Sequence, residues 1–422
     1  MPRPHKIKRS IGIKGRRYRA RPHPLFVLFV VVSLGGLVYL GTLIYQPVHD
    51  AIMNWEPGRR DVQQPQLPGS GTAEQPDPGE QAVSTPPPVA VRAGNLRAVY
   101  APPALLADTA AFDEFIAGVA QAGMNAVMVD IKNPDGQVLF ASANQNANDW
   151  EAVVDNAFDL GELGERLDQE GLSLVVRLSA FRDEIAARGN HDYAVMWQGQ
   201  DSGTMWLDNF AAMGGRPWLS PHSQGARAYL TDLALEAVEH GAVMVVLDDV
   251  QFPPNSLTQD AYFGETGGLS RTQRLAAFAE EFTAALAGVG ARGAVYIPAI
   301  HLVADEPNVT FFGGPPAEIL GEYTVLGALP YQFFASGFES EILQLPDPLE
   351  DLAHTITQLL AAVRVQTDTN LIVLIQGGSL PGGAQYTDQQ ILGQVETLAG
   401  LGVEEFIFFA PYVGHYQLMV GG

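Results

Sequence analysis

The stretch Val243–Pro253, VMVVLDDVQFP, is apolar and rich in β-branched residues until it meets two adjacent carboxylates, Asp248 and Asp249. Acids delivered at the end of a buried strand are equipment for proton transfer, since one carboxyl can donate while an ionised partner accepts a proton or attacks. Successive side chains point to opposite faces of a strand. At most one of the pair is therefore expected to enter a common site, with the other pairing locally. Asp248 is the expected ionised carboxylate and Asp130 its weaker candidate partner, with Glu322 and Glu265 held in reserve.

Other polar groups follow apolar runs in the same way. Asp130 and Lys132 end one run, Arg177 another, and His301, Tyr331, Gln376 and Tyr412 follow later ones. Carboxylates, a guanidinium, an amide and aromatic rings around one groove suit sugars, whose hydroxyls need charged or bidentate partners and whose faces stack on rings. Trp206, with Trp197 and Trp218, lies in a long insertion, Arg182–His222, that would add a stacking platform or simply pack its own loop. Each polar residue also has a plain structural role open to it: an Asp can cap the next element, and Arg177 can serve by holding a carboxylate ionised. The chain offers no defensible Ser-His-Asp order, no His-Glu-x-x-His helix and no phosphate loop, so no metal or other cofactor is expected.

The elements that must position these groups repeat regularly. Strands are predicted over Leu96–Tyr100, Ala126–Ile131, Leu172–Leu178, Val243–Leu247, Gly293–Ile297, Tyr323–Leu329, Leu371–Ile375 and Glu405–Phe409. Helices are predicted over Ala110–Ala122, Asn156–Glu170, Gln224–His240, Arg271–Gly288, Pro348–Val363 and Asp388–Leu401, most of them followed by glycine. Continuous apolar strands alternating with amphipathic helices imply parallel strands covered on both faces and right-handed crossovers. Eight such units across 95–422 predict a (β/α)8 TIM-type barrel, with an eighth helix missing or very short after Pro411. An open dinucleotide-binding sheet is disfavoured, because Tyr100 is followed by Ala-Pro-Pro rather than a glycine-rich turn.

Ahead of the barrel, residues 1–24 carry nine Lys or Arg and no acid, and Leu25–Tyr45 then runs without a charge. That length spans a bilayer, and Gln46-Pro47-Val48-His49 offers no small-residue cleavage site. A single-pass signal anchor over 25–45 is expected, with 1–24 cytoplasmic, the barrel outside the cell membrane, and Pro/Gly/Ser-rich 46–94 as a linker. The whole chain carries 47 Asp and Glu against 24 Lys and Arg, and all the acids lie beyond the anchor. An acidic domain without a basic stripe argues against a nucleic-acid partner. The chain has no cysteine, which excludes thiol catalysis and a disulfide framework.

Four segments, NAVMVDIKNPDGQVLF, RLSAFRD, RPWLSPHSQGARAYLTDLALEAVEHGAVMVVLDDVQFP and QYTDQQILGQVETLAGLGVEEFIFFAPY, resemble in order and spacing a bacterial family of glycosyl hydrolase-like barrels whose members are exported or membrane-attached. The resemblance covers Leu96–Tyr412 and is most specific at Asp130-Ile131-Lys132 and at Asp248 with Phe252-Pro253. Where the family carries Asp-Tyr-Val-Arg-Phe-Pro, this chain has Asp248-Asp249-Val250-Gln251-Phe252-Pro253. The family's acid near the fifth strand is missing from Tyr296–His301, and Gly377 stands where the family has Asp. The resemblance implies a glycoside hydrolase-like domain acting on polysaccharide or cell-wall glycan, with Asp248 and Asp130 as catalytic acids. Lys132, Arg177, Trp206, Asp249, His301, Tyr331, Gln376 and Tyr412 are the expected glycan contacts. The departures leave open a degenerate barrel that binds glycan without cutting it or serves as a surface scaffold, and also a purely structural extracellular domain.

Overall fold

The computed structural model describes residues 95–198, 203–253, 258, 260–305, 309–329, 337–378 and 386–409. The expected anchor and linker, the place of an eighth helix after Pro411, and Tyr331 and Tyr412 lie outside these residues. Among the described residues no helix is long and apolar enough to cross a membrane.

Eight parallel strands form a closed barrel. They are β1 (Arg97–Tyr100), β2 (Ala126–Lys132), β3 (Ser173–Ser179), β4 (Ala242–Asp248), β5 (Arg292–Pro298), β6 (Tyr323–Gly327), β7 (Asn370–Gln376) and β8 (Phe406–Phe409). Closure is made by β1, which pairs with β8 through Ala98↔Ile407 and with β2 through Ala98↔Ala126. The apolar runs lack polar alternation because both faces are buried. Val129, Val176, Leu247, Ile297, Val373 and Phe408 face the helices, whereas Ala98, Met128, Val175, Met244, Val246, Ala294, Val325, Ile372, Leu374 and Ile407 fill the barrel.

The long outer helices are α1 (Thr109–Gln121), α2 (Leu160–Gln169), α3 (Gln224–Glu239), α4 (Arg271–Gly288), α5 (Leu352–Gln366) and α6 (Asp388–Gly400). Each begins at a residue whose short side chain accepts from a first-turn amide: Asp108, Asp159, Ser223, Ser270, Asp351 and Thr387. Between β5 and β6 the described chain makes only short helical turns, Ile300–Val303, Val309–Phe312 and Pro316–Ile319.

One predicted helix starts too early. Val153–Phe158 is a strand, and α2 begins only after its cap, Asp159. The segment pairs in parallel with Val138–Phe140, which itself runs antiparallel to the end of β2 through Lys132↔Val138. The β-branched pair Val153-Val154 suits this sheet extension, and the cap sets where the helix can start.

The floor of the barrel is pinned by charge. Arg292 at the start of β5 donates from both terminal nitrogens to Glu405, at 2.9 and 2.7 Å, and lies 4.1 Å from the Tyr323 ring centre on β6. Glu405 also accepts from the Leu96 amide at 2.9 Å, so one carboxylate links β5, β8 and the entry to β1. Burial alone would raise the Glu405 carboxyl, but the Arg292 and Leu96 hydrogen bonds overcome it and hold the group below the usual glutamate range. Its contribution to stability is therefore present above that range and lost as pH falls through the depressed value. Glu405→Gln is expected to cost about 1–3 kcal/mol at pH 7. Thermal melts of the full chain should show that deficit shrinking as the pH is taken toward 3; a deficit independent of pH would rule out the ion pair as its source.

Candidate active site

The C-terminal ends of six strands bring an inward-facing side chain each to the mouth of the barrel. Tyr100 ends β1, Asp130 lies near the end of β2, Arg177 near the end of β3, Asp248 ends β4, Tyr296 lies near the end of β5, and Phe409 ends β8. Register sets the first contact. Asp130 and Arg177 are direct partners across β2 and β3, and Ser179 stands opposite Asp248 across β3 and β4.

Arg177 organises the carboxylates. Its Nε donates to Asp130 Oδ1 at 2.6 Å and its Nη2 to Asp130 Oδ2 at 3.0 Å, while Nη1 stands 3.8 Å from Asp248 Oδ2. The Tyr100 hydroxyl donates to Asp130 Oδ2 at 2.7 Å. The guanidinium carbon lies 5.2 Å from the Tyr100 ring centre and 5.8 Å from that of Phe409, and the two rings stack at 4.9 Å. Burial and the charge of Asp130 push the Tyr100 hydroxyl well above the usual phenol range, which keeps it a donor. Burial works against the Arg177 cation, but Asp130 and Asp248 more than compensate, and the guanidinium stays charged.

Asp248 is in a different state from the one expected of it. Its carboxyl is pushed up to about 7, first by burial and then by the charge of Asp249, against the opposing pull of Arg177 and the Asp249 amide, which donates to Asp248 Oδ1 at 2.7 Å. As an ionised carboxylate, Asp248 is expected to lean on Arg177. The structure gives the two-pronged contact to Asp130 and leaves Asp248 as the group able to carry a proton near neutrality. About a quarter of the Asp248 side chain remains exposed (24%), so the proton is reachable from the mouth.

The remaining expected residues divide. Asp249 has a left-handed backbone, with φ of 52°, and its Oδ2 accepts from the Ser179 hydroxyl at 2.6 Å. Lys132 has a side chain that is 0% exposed; it donates to the Ser179 carbonyl at 2.7 Å and pairs with buried Asp183 at 3.0 Å. It braces the ends of β2 and β3 and faces no groove, which corrects the expectation of a glycan contact. Trp206 is likewise fully buried and packs the insertion core. Gln376 is buried, donating to the Gly378 carbonyl at 2.6 Å while its amide donates to Gln394. The ring of His301, just past β5, rests 5.4 Å from each of Phe311 and Phe312. Glu322 precedes β6, where its carbonyl accepts from Asn370 at the start of β7, so it belongs to the barrel floor. Glu265 lies in the loop after β4 and accepts from Tyr262.

Three mouth residues escaped the sequence argument: Tyr100, Tyr296 and Phe409. Their position as last or near-last inward residues of a strand was available as a signal. Tyr296 has a second one in Gly327 on the neighbouring strand, where an added Cβ would sit 2.4 Å from the Tyr296 hydroxyl. Among the described residues no group of three or more acidic or His side chains is arranged to hold a metal ion.

Residues 98–415 match the family model described as "Putative glycosyl hydrolase domain". No curated protein matches the chain. Among solved structures, the PgaB (BpsB) glycoside hydrolase domain from Bordetella bronchiseptica superposes with a TM-score of 0.52 at 14% identity, over 75% of this chain and 94% of that one. The catalytic domain of beta-amylase from Paenibacillus polymyxa gives 0.44 at 13% identity, over 74% and 91%. A hypothetical protein from Ruminiclostridium thermocellum gives 0.41 at 22%, over 47% and 96%. At these identities the first likeness speaks to the fold alone.

The raised Asp248 carboxyl carries a stability consequence. A carboxyl raised in the folded state supports folding fully below the ordinary aspartate range, and that support is lost as pH rises through about 7. Asp248→Asn keeps an oxygen for the Asp249 amide and removes the buried charge. Its Tm is expected to exceed that of the wild type by several degrees at pH 8, with the gain vanishing by about pH 4. Equal melting temperatures at pH 8 would show that the Asp248 carboxyl is not raised by folding.

Proposed function

The chain belongs to the putative glycosyl hydrolase domain family, and on that premise we propose that its barrel cleaves a polysaccharide or cell-wall glycan, with Asp248 as the proton donor. The observation carrying this reading is a carboxyl poised near neutrality at the barrel mouth, beside an arginine that engages a second carboxyl. Glycoside hydrolysis needs one protonated carboxyl to assist the leaving oxygen and another to attack the anomeric carbon or activate water. Arg177 touches both Asp130 and Asp248, which keeps the pair within the roughly 10 Å outer limit that such carboxyls observe.

Asp130 is the proposed base. A carboxylate offers about four acceptor positions, and two prongs of Arg177 with the Tyr100 hydroxyl take three of them. One position on Oδ1 is left to orient a water. Tyr296 and Phe409 would supply ring surface against the sugar.

A second reading rests on the same contacts. Because Asp130 is so heavily engaged and Asp249 is tied to Ser179, the barrel could bind glycan without turning it over. The two readings part in one assay: reducing-end release from cell-wall, plant and host polysaccharides by the full-length protein in detergent. The enzyme reading expects release by the wild type, a loss of about 10²–10⁴-fold in Asp248→Asn, and kcat/KM falling as pH rises through about 7 as the donor loses its proton. Glycan binding without release favours the degenerate barrel.

We further propose that Leu25–Tyr45 anchors the chain in the cell membrane, with the barrel outside. The charge-free apolar run and the nine preceding bases support this. Carbonate-resistant membrane association, with the barrel open to protease on intact cells, is the expected result; release by carbonate would contradict it.

A further inference from the structure

The insertion after β3 and the loop after β4 enclose a cavity of about 490 Å³ that the proposed chemistry does not use. Both segments leave C-terminal strand ends, the end of the barrel at which Asp248 stands. Its size falls within the range of small-ligand sites, roughly 300–1,000 Å³. We propose that this cavity is a second carbohydrate subsite, taking a neutral sugar residue of a glycan chain against the Tyr262 ring. The inference takes only its ligand class from the proposed function; the site itself stands on its own geometry.

The platform is mounted rather than loose. Ala261–Tyr262 pairs antiparallel with Met196–Trp197, and the Asp260 carbonyl accepts from the Gln198 amide at 2.8 Å. Phe263, next along, is buried edge-on against Phe252 at 4.9 Å with Arg271 at 4.6 Å from its ring centre. Tyr262 itself is 41% exposed, on a backbone held by its neighbours on both sides. The Gly264 backbone, at a φ of +90° open to glycine, turns the chain so that Glu265 accepts from the Tyr262 hydroxyl at 3.1 Å. A fixed exposed ring with a carboxylate at its edge is the arrangement that stacks a pyranose face and holds its hydroxyls.

The lining decides the ligand's charge. Its polar groups include the acids Asp192 and Glu265 with His191, His222 and Gln224, and no Lys or Arg is among the described lining residues. His222 is pushed down to about 4, first by burial and then by the charges of Arg274, Arg227 and Arg271 behind it. The His222 Nδ1 is buried, so the neutral imidazole can meet a ligand only through Nε2, which suits a hydroxyl rather than phosphate or carboxylate. Those three arginines are turned to other partners: Arg227 and Arg274 to Glu281, Arg271 to the rings of Phe252 and Phe263. The opposite wall is held in place by Ser223, which donates to the Asp192 carbonyl at 2.9 Å while capping α3.

The test uses the full-length Asp248→Asn protein in detergent, so that a bound glycan is not cut, with and without Tyr262→Ala. Calorimetric titration with hexamers of cello-, xylo-, manno- and chito-oligosaccharide series is the readout. At least one series is expected to bind, with affinity falling about tenfold on Tyr262→Ala and held within about twofold by Tyr262→Phe. Equal affinity with and without the ring, or no binding by any series, overturns the inference. Tyr262-dependent binding in a protein whose wild type releases no reducing ends would uphold the subsite while refuting the hydrolase reading.

Discussion

The contact on which the mouth of this barrel depends is the fork between Arg177 and Asp130. Its two hydrogen bonds, with a third from Tyr100, settle one carboxylate in a site where a lone charge would be costly. The same guanidinium only grazes Asp248, at 3.8 Å. Two acids a few ångströms from one arginine thus receive unequal shares of it, and burial decides the fate of the one left short. This inequality, rather than the mere presence of acids, is what separates a charged carboxylate from a proton-bearing one.

That contact exists because the strands are parallel and in register. Asp130 and Arg177 meet as direct partners of β2 and β3, and a slip of one residue would turn the arginine into the helical layer. The barrel's middle is filled with Ala, Val, Met, Ile and Leu, and its described charges gather at the two ends. At the floor, Arg292 and Glu405 make a second fork whose role is closure; at the mouth, Arg177 and Asp130 make one whose open side faces solvent. Similar chemistry therefore serves stability at one end and a site at the other, according to what lies beyond it.

The eight strands were legible because each is a continuous apolar run, and their ends agree with the sequence argument to within one or two residues. The helix over Asn156–Glu170 was misjudged at its start because Val153–Phe158 pairs with a distant strand, which local periodicity does not record. The site was legible as a set of polar strand ends but not as a division of roles. Asp130, Arg177 and Asp248 do meet, yet which acid takes the arginine depends on side-chain reach across the barrel. Lys132 and Trp206 read as ligand contacts by residue type and turned out to be braces, since type alone does not reveal which way a strand end or loop is packed. Tyr100 and Phe409 were overlooked as parts of the apolar strands they end.

The central claim is that one arginine splits two acids into a charged and an uncharged partner. Carbon-13 NMR titration of the aspartate carboxyls, with Asp248 assigned by its loss in Asp248→Asn, measures this directly. The expected result is an Asp248 carboxyl titrating near 7. An Asp248 that titrates in the ordinary aspartate range, around 4, would contradict it and remove the proton donor on which the proposed hydrolysis rests.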